Sequence, residues 1–176
     1  MTAACPHAQK TEPPTATTVS LALDAAHNHV AAADERLTVP RHRVLELLLT
    51  SSRPVKAYDL VAAFHADERI AKPATIYRAL EFLEKMGLIH RLLSSKCYVA
   101  CTLGAAAHPA AFMICDCCGS CREISAPEAA SLSGTATALG YSVERVTLEA
   151  EGRCPACRVP TDGPQSASVN FVDDLH

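Results

Sequence analysis

The sequence predicts an α+β fold in two parts, with helices gathered in the N-terminal half and a small α/β unit after them. Three observations predict it. Apolar residues recur at helical spacing through successive stretches up to Gly87, the pattern then switches to short β-prone runs about a polar turn, and further on a β-prone run leads into the first of two Cys-x-x-Cys pairs that bracket a helix and a strand. At 176 residues, 49% of them hydrophobic, the chain can bury a core in one domain or two small ones.

Residues 1–17, MTAACPHAQKTEPPTAT, are polar, Pro-rich and aperiodic, so a disordered arm is expected, with Cys5 and His7 as tail residues. From about Val19 to Ala33 the chain is Ala-rich and helix-permissive. In VPRHRVLELLLTSS, Pro40 suits a first helical turn, and Val44, Leu45, Leu48 and Leu49 share one face of a second helix. KAYDLVAAFHADE repeats the pattern through Leu60, Val61 and Phe64, and KPATIYRALEFLEKMG starts at Pro73 and stops at Gly87. Past Gly87, LIHRLLSSKCYVAC reads as a hairpin about SSK. Helices followed by a two-stranded wing describe a winged-helix DNA-binding domain over residues 18–103.

GAAAH, residues 104–108, reads as a hinge. Beyond it AFMIC is expected to be a strand buried on both faces, PEAASLSGTATALG a helix ending at Gly140, and YSVERVTLEAEG a long β-prone run whose alternation slips between Val143 and Val146. Together they predict a small α/β dimerisation domain over 109–158, completed by a partner chain. Residues 159–176 are polar and read as a flexible tail. The longest apolar runs fall short of the ~20 residues that span a bilayer, and the first residues show no basic segment followed by an apolar one. A cytoplasmic protein without a membrane partner is the expectation.

The net charge of −3 hides an asymmetry. Residues 36–96 hold eleven Lys or Arg against six Asp or Glu, a net of +5, which leaves −8 for the remainder. A basic first half beside an acidic second half assigns polyanion contact to the first. On a wheel of residues 74–86, Ile76, Ala79, Leu80, Phe82, Leu83 and Met86 share one side, while Tyr77, Arg78, Glu81, Glu84 and Lys85 share the other. The first side packs and the second faces out. Arg78 can hydrogen-bond a guanine edge or a phosphate, and Tyr77 offers a ring to a thymine methyl. Glu81 and Glu84 oppose phosphate, so only the N-terminal turn is expected to enter the groove of double-stranded DNA. Arg41, His42 and Arg43 on the second helix, and Lys72 before the fourth, are candidates for backbone phosphates.

Nine cysteines, an odd number, without an export signal argue against a disulfide framework and for metal or redox chemistry. A tetrahedral zinc ion needs four soft ligands, and two Cys-x-x-Cys knuckles supply four thiolates: Cys115, Cys118, Cys154 and Cys157. Such a closed site stabilises the fold and does nothing else. Cys118-Gly-Ser-Cys121 overlaps the first knuckle and Cys117 sits in its turn, so the residues leave the choice open. A second cluster comprises His90, Cys101, His108 and Glu123. Two imidazoles, one thiolate and one carboxylate around Zn²⁺ sum to zero charge, which a partly buried crevice tolerates. Cys97, on the same strand face as Cys101, is an alternative ligand.

LTVPRHRVLELL, KAYDLVAAF, KPATIYRALEFLEKMGLIHRL, YVAC, HPAAFMICDCCG and GRCPACR resemble, in order and spacing, the ferric uptake regulator superfamily and its zinc-sensing branch, over roughly residues 18–158. The resemblance implies a homodimer of winged-helix domains joined by hinges to an α/β dimerisation domain, bound to an inverted-repeat operator with zinc as corepressor. It also implies a structural zinc on Cys115, Cys118, Cys154 and Cys157 and a regulatory zinc on His90, Cys101, His108 and Glu123. Tyr77 and Arg78 fall where the family's reading helix carries its base-contacting pair. Iron-sensing members usually have a His-rich stretch before the first knuckle, and here it holds a single His. Cys101 softens the regulatory set toward zinc over ferrous iron. The expected physiology is repression of zinc-uptake genes. An iron-responsive regulator and a thiol or peroxide sensor are the alternatives, the latter through Cys115, Cys117, Cys118 and Cys121. A catalytic zinc would need an open position and a nearby base, and the one candidate, Glu123, is needed as a ligand, so no enzyme is expected.

Overall fold

The computed structural model describes residues 14–66, 72–104, 108–126, 128–143 and 146–158. Helix α1 spans Ala16–Ala32, three residues earlier than the apolar pattern alone indicates. Thr15 explains the early start, because its hydroxyl accepts the Thr18 amide at 3.2 Å and caps the helix. Helix α2 is Val39–Thr50 with Pro40 in its first turn, and α3 is Ala57–Ala66. Helix α4, Pro73–Lys85, ends where Gly87 takes a φ of 68°, a left-handed turn that other residues adopt at a cost.

The face expected to pack does so. Ile76, Ala79, Leu80, Phe82 and Leu83 of α4 are buried, and the core they enter takes Val44, Leu45 and Leu48 from α2 and Leu60 and Phe64 from α3. Val19, Leu23, Ala26 and Val30 lay α1 across the same core. Strands β2 (Ile89–Leu92) and β3 (Cys97–Ala100) form the predicted hairpin, with His90 opposite Val99. A two-residue strand β1, Val55–Lys56, completes the sheet in the order β1-β3-β2. It carries no periodic signal and was not expected. Helices and wing together form the winged-helix half of an α+β fold.

The second half is a sheet in the order β5-β4-β6, made of β4 (Ala110–Cys115), β5 (Cys121–Ile124) and β6 (Thr147–Gly152), with α5 (Glu128–Ala138) leading into β6. Three expectations need correction here. AFMIC is the central strand, but Met113 is 51% exposed and Ile114 on the opposite face is half-buried, so neither face is buried throughout. The C-terminal β-prone run narrows to Thr147–Gly152, and Tyr141 and Val143 lie outside it and exposed. Strand β5 was missed, because CREI is half charged and alternates half-buried with exposed residues. The disordered arm expected over 1–17 is too long, because Thr15 caps α1 and residues 16 and 17 open it; residues 1–13, the middle of the hinge at 105–107 and the expected tail over 159–176 lie outside the described residues.

The halves meet through a small apolar contact. Leu92 and Val99 of the wing pack with Ala110, Phe112, Ile114 and Cys121 of the second sheet.

Candidate metal centre

Two clusters of potential metal ligands assemble among the described residues. The first is built by strand pairing. Strands β4 and β6 run parallel with Cys115 opposite Gly152, so the knuckles that follow both strands leave the same end of the sheet. That brings Cys154 beside Cys118, 36 positions earlier in the chain. The Asp116 amide donates to the Gly152 carbonyl at 2.8 Å, and Gly119, with a φ of 70°, turns the first knuckle back on itself. In the second knuckle the Cys157 and Arg158 amides donate to the Cys154 carbonyl at 2.9 and 3.0 Å.

The sulfurs of Cys115, Cys118, Cys154 and Cys157 lie within 4.8 Å of one another, and Cys118 and Cys154 are 3.8 Å apart. A zinc ion with ~2.3 Å bonds to sulfur separates its ligands by about that distance. Burial alone would raise the Cys115 thiol, but amides of Cys154, Cys118 and Cys117 and the Cys118 thiol outweigh it and bring it down to about 6. The Cys154 amide reaches Cys115 Sγ at 3.3 Å. Backbone donors therefore favour the thiolate that a metal requires. Neither Cys117 nor Cys121 belongs to the cluster, and no disulfide forms among the eight described cysteines.

The second cluster collects ligand atoms from both halves. Its members are His90 on β2, Cys101 just past β3, His108 at the end of the hinge and Glu123 on β5, all within 4.8 Å of one another. The Cys101 amide bonds the Leu88 carbonyl at 3.0 Å, which continues the hairpin and keeps Cys101 beside His90. On the other side, Glu123 pairs with Phe112, and the His90 ring stands edge-on to Phe112 with centroids 5.4 Å apart. Cys97, its thiol 3.5 Å from the Ser95 carbonyl, is outside the cluster.

Glu123 Oε1 is the hub. His90 Nε2 lies 2.9 Å from it, His108 Nε2 3.0 Å and Cys101 Sγ 3.8 Å. Its side chain is only 2% exposed. The second oxygen accepts the Thr102 amide at 2.6 Å and the Thr102 hydroxyl at 2.8 Å. Burial would raise this carboxyl, yet the two imidazoles and Thr102 outweigh it and hold it at about 2. Cys101 moves the other way, pushed up to about 11 by burial and then by the Glu123 charge. His90 Nε2, despite its approach to Glu123, is buried without a hydrogen bond. A buried nitrogen aimed at a carboxylate, a thiol and a second imidazole is left with a polar atom to satisfy, and a divalent cation satisfies all four at once. The residues fit zinc. Thr102 escaped the sequence reading, since a threonine after a cysteine carries no signal of its own.

On α4, Tyr77 is 47% exposed, and Arg78 and Lys72 are exposed near its N-terminus. Arg41 and Arg43 are more engaged. The Arg41 guanidinium stacks 3.2 Å above the Phe82 ring and donates to the Arg36 carbonyl, and Arg43 pairs with Glu46 at 2.6 Å.

A sequence model of the ferric uptake regulator family matches residues 32–151. The chain belongs to the ferric uptake regulator family. Within that family it is 36% identical over 143 residues to the zinc uptake regulation protein of Escherichia coli (strain K12), a match covering 80% of this chain and 84% of that one. The zinc uptake regulation protein of Shigella flexneri matches equally. Among solved structures it is similar to a zinc uptake regulator complexed with zinc and DNA, with a TM-score of 0.74 and 35% identity over 80% of this chain and 95% of that one. Holo XcZur aligns with a TM-score of 0.72 and 36% identity over 79% and 97%.

Proposed function

We propose that this family member is a zinc-responsive transcriptional repressor, a homodimer that binds an inverted repeat in operator DNA when its regulatory site is filled and thereby represses zinc-uptake genes. The single observation that carries the reading is the convergence of His90 and Cys101 from the wing with His108 and Glu123 from the other side of the hinge. The similarity to zinc uptake regulators, one of them in complex with zinc and DNA, supports zinc as the effector and DNA as the target.

Cys115, Cys118, Cys154 and Cys157 would hold a structural zinc, and His90, Cys101, His108 and Glu123 a regulatory one. Bound there, zinc supplies the positive charge that balances the Cys101 and Glu123 anions. Thr102 orients Glu123 by occupying its other oxygen. Phe112 backs the His90 ring and excludes water on that side. With the four side chains held together, the wing cannot swing on the hinge, and the two reading helices of a dimer keep the ~34 Å spacing of successive major-groove turns. With the four released, the halves sample many spacings and few fit the operator. Tyr77 and Arg78 would contact base edges, and Lys72, Arg41 and Arg43 phosphates.

Met113, Leu132, Leu139, Tyr141 and Leu148 are large, apolar and exposed in the second half, which supports burial against a partner chain. No helix among the described residues is long and apolar enough to cross a membrane. We read the protein as a regulator that acts in the cytoplasm and not as an enzyme, since Glu123, the carboxylate at the second cluster, is committed as a ligand.

The test is operator-fragment binding titrated separately with buffered zinc, ferrous iron and manganese. Binding that rises with zinc at the lowest free concentration is expected, and binding that follows iron instead would assign the chain to the iron-responsive branch.

A further inference from the structure

The four ligands, with Thr102 on Glu123, clasp the halves at the hinge. Another polar link lies at the tip of the wing and uses no metal ligand. The turn between β2 and β3 presents the backbone amides of Leu93 and Ser94 to Glu149, which sits mid-strand on β6 opposite Phe112. One carboxylate oxygen accepts the Leu93 amide at 2.5 Å, and the other accepts the Ser94 amide at 3.1 Å. This is a two-pronged, charge-assisted hold on consecutive amides of one turn, stronger than neutral hydrogen bonds. Burial raises the Glu149 carboxyl, and the Ser94 hydroxyl with the two amides outweighs it and lowers the group, so the anion is the bound form.

Apolar packing does not explain why the turn docks. Leu93 is 67% exposed, and Ser94, Ser95 and Lys96 are exposed as well. The apolar contact between the halves stops at Leu92. Beyond it the carboxylate is what ties the turn to the sheet.

We propose that Glu149 is a positioning residue, a metal-independent latch that holds the wing turn against the dimerisation sheet and lowers the zinc concentration at which the chain binds its operator. The inference rests on the zinc-responsive reading above. An equilibrium between free and clasped hinge is shifted by any contact made only in the clasped state. Glu149 makes such a contact, so its presence and the filling of the His90, Cys101, His108 and Glu123 site reinforce each other.

The experiment compares three full-length chains: native, Glu149→Gln and Glu151→Gln. Glutamine keeps the size of Glu149 but loses the charge and turns half of the acceptor pair into a donor facing backbone donors. Glu151 is exposed on the same strand, so its substitution removes an equal charge without touching the turn. Two quantities are read, the hydrogen exchange of the Leu93 and Ser94 amides in protein carrying zinc in the four-cysteine site alone and the free zinc needed for half-maximal operator binding. In Glu149→Gln the amides exchange about tenfold faster and the zinc requirement rises about tenfold, within the usual range for coupled sites. Glu151→Gln matches the native chain in both. Unchanged exchange in Glu149→Gln, faster exchange with an unmoved zinc requirement, or an equal shift in Glu151→Gln each overturns the proposal. Should the native chain itself ignore zinc, the zinc-responsive reading fails, and the exchange comparison still decides whether Glu149 holds the turn.

Discussion

Single residues divide the regulatory cluster into those that would bond the ion and those that aim them. His90, Cys101, His108 and Glu123 stand out by chemical type, so the sequence shows them as candidates. The residue types alone left Cys97 open beside Cys101, since both lie on one face of a β-prone run; the family resemblance pointed to Cys101, and the structure brings Cys101 and not Cys97 into the cluster. Thr102 is of the aiming kind, with an amide and a hydroxyl on Glu123 Oε2. Thr102→Val removes the hydroxyl bond and keeps the amide. It is expected to weaken zinc binding at the regulatory cluster by about 10- to 100-fold, the usual effect of removing a group that orients a ligand, with no change at the four-cysteine site. Competition against a chromophoric chelator, which resolves two classes of zinc, checks this.

Elements explain which parts of the fold could be read in advance. Helix α4 was legible because six apolar positions at helical spacing left one side for the core, and those on the helix itself are buried. Strand β5 was not, since its four residues alternate without a marked apolar face, yet it carries Glu123. Strand β1 is two residues long and formed by pairing alone. Parallel pairing of β4 with β6 is likewise invisible in a linear reading, and it is what brings the knuckles together. Arg78→Ala, on the exposed face of α4, is expected to cost about 1–3 kcal/mol in operator binding and to relax sequence preference, while zinc content stays the same. A gel-shift panel of single-base operator variants, with metal analysis of the same protein, checks both halves. Cys154→Ser opens the end of the β4–β6 pair. The expected outcome is loss of thermal stability and of soluble dimer, seen by calorimetry and size-exclusion chromatography, before any change in the zinc concentration that drives DNA binding.

At the scale of the whole molecule, the basic half and the acidic half are joined by a hinge that four ligands span. Charge asymmetry made the division of labour legible, and the clustering of cysteines made metal legible. The contact between halves was not, because the apolar pairing of Leu92 and Val99 with Phe112 and the reach of Glu149 to the wing turn depend on how two separate sheets face each other. The central claim is that side chains from both sides of the hinge must be held together for the protein to grip DNA. Zinc-dependent operator binding by Glu123→Ala and His90→Ala, each carrying a full complement of zinc in the four-cysteine site, tests it most directly. The account predicts that both variants bind operator fragments weakly at every free zinc concentration, while the native chain tightens as zinc rises. Variants that tighten along the native curve would contradict it.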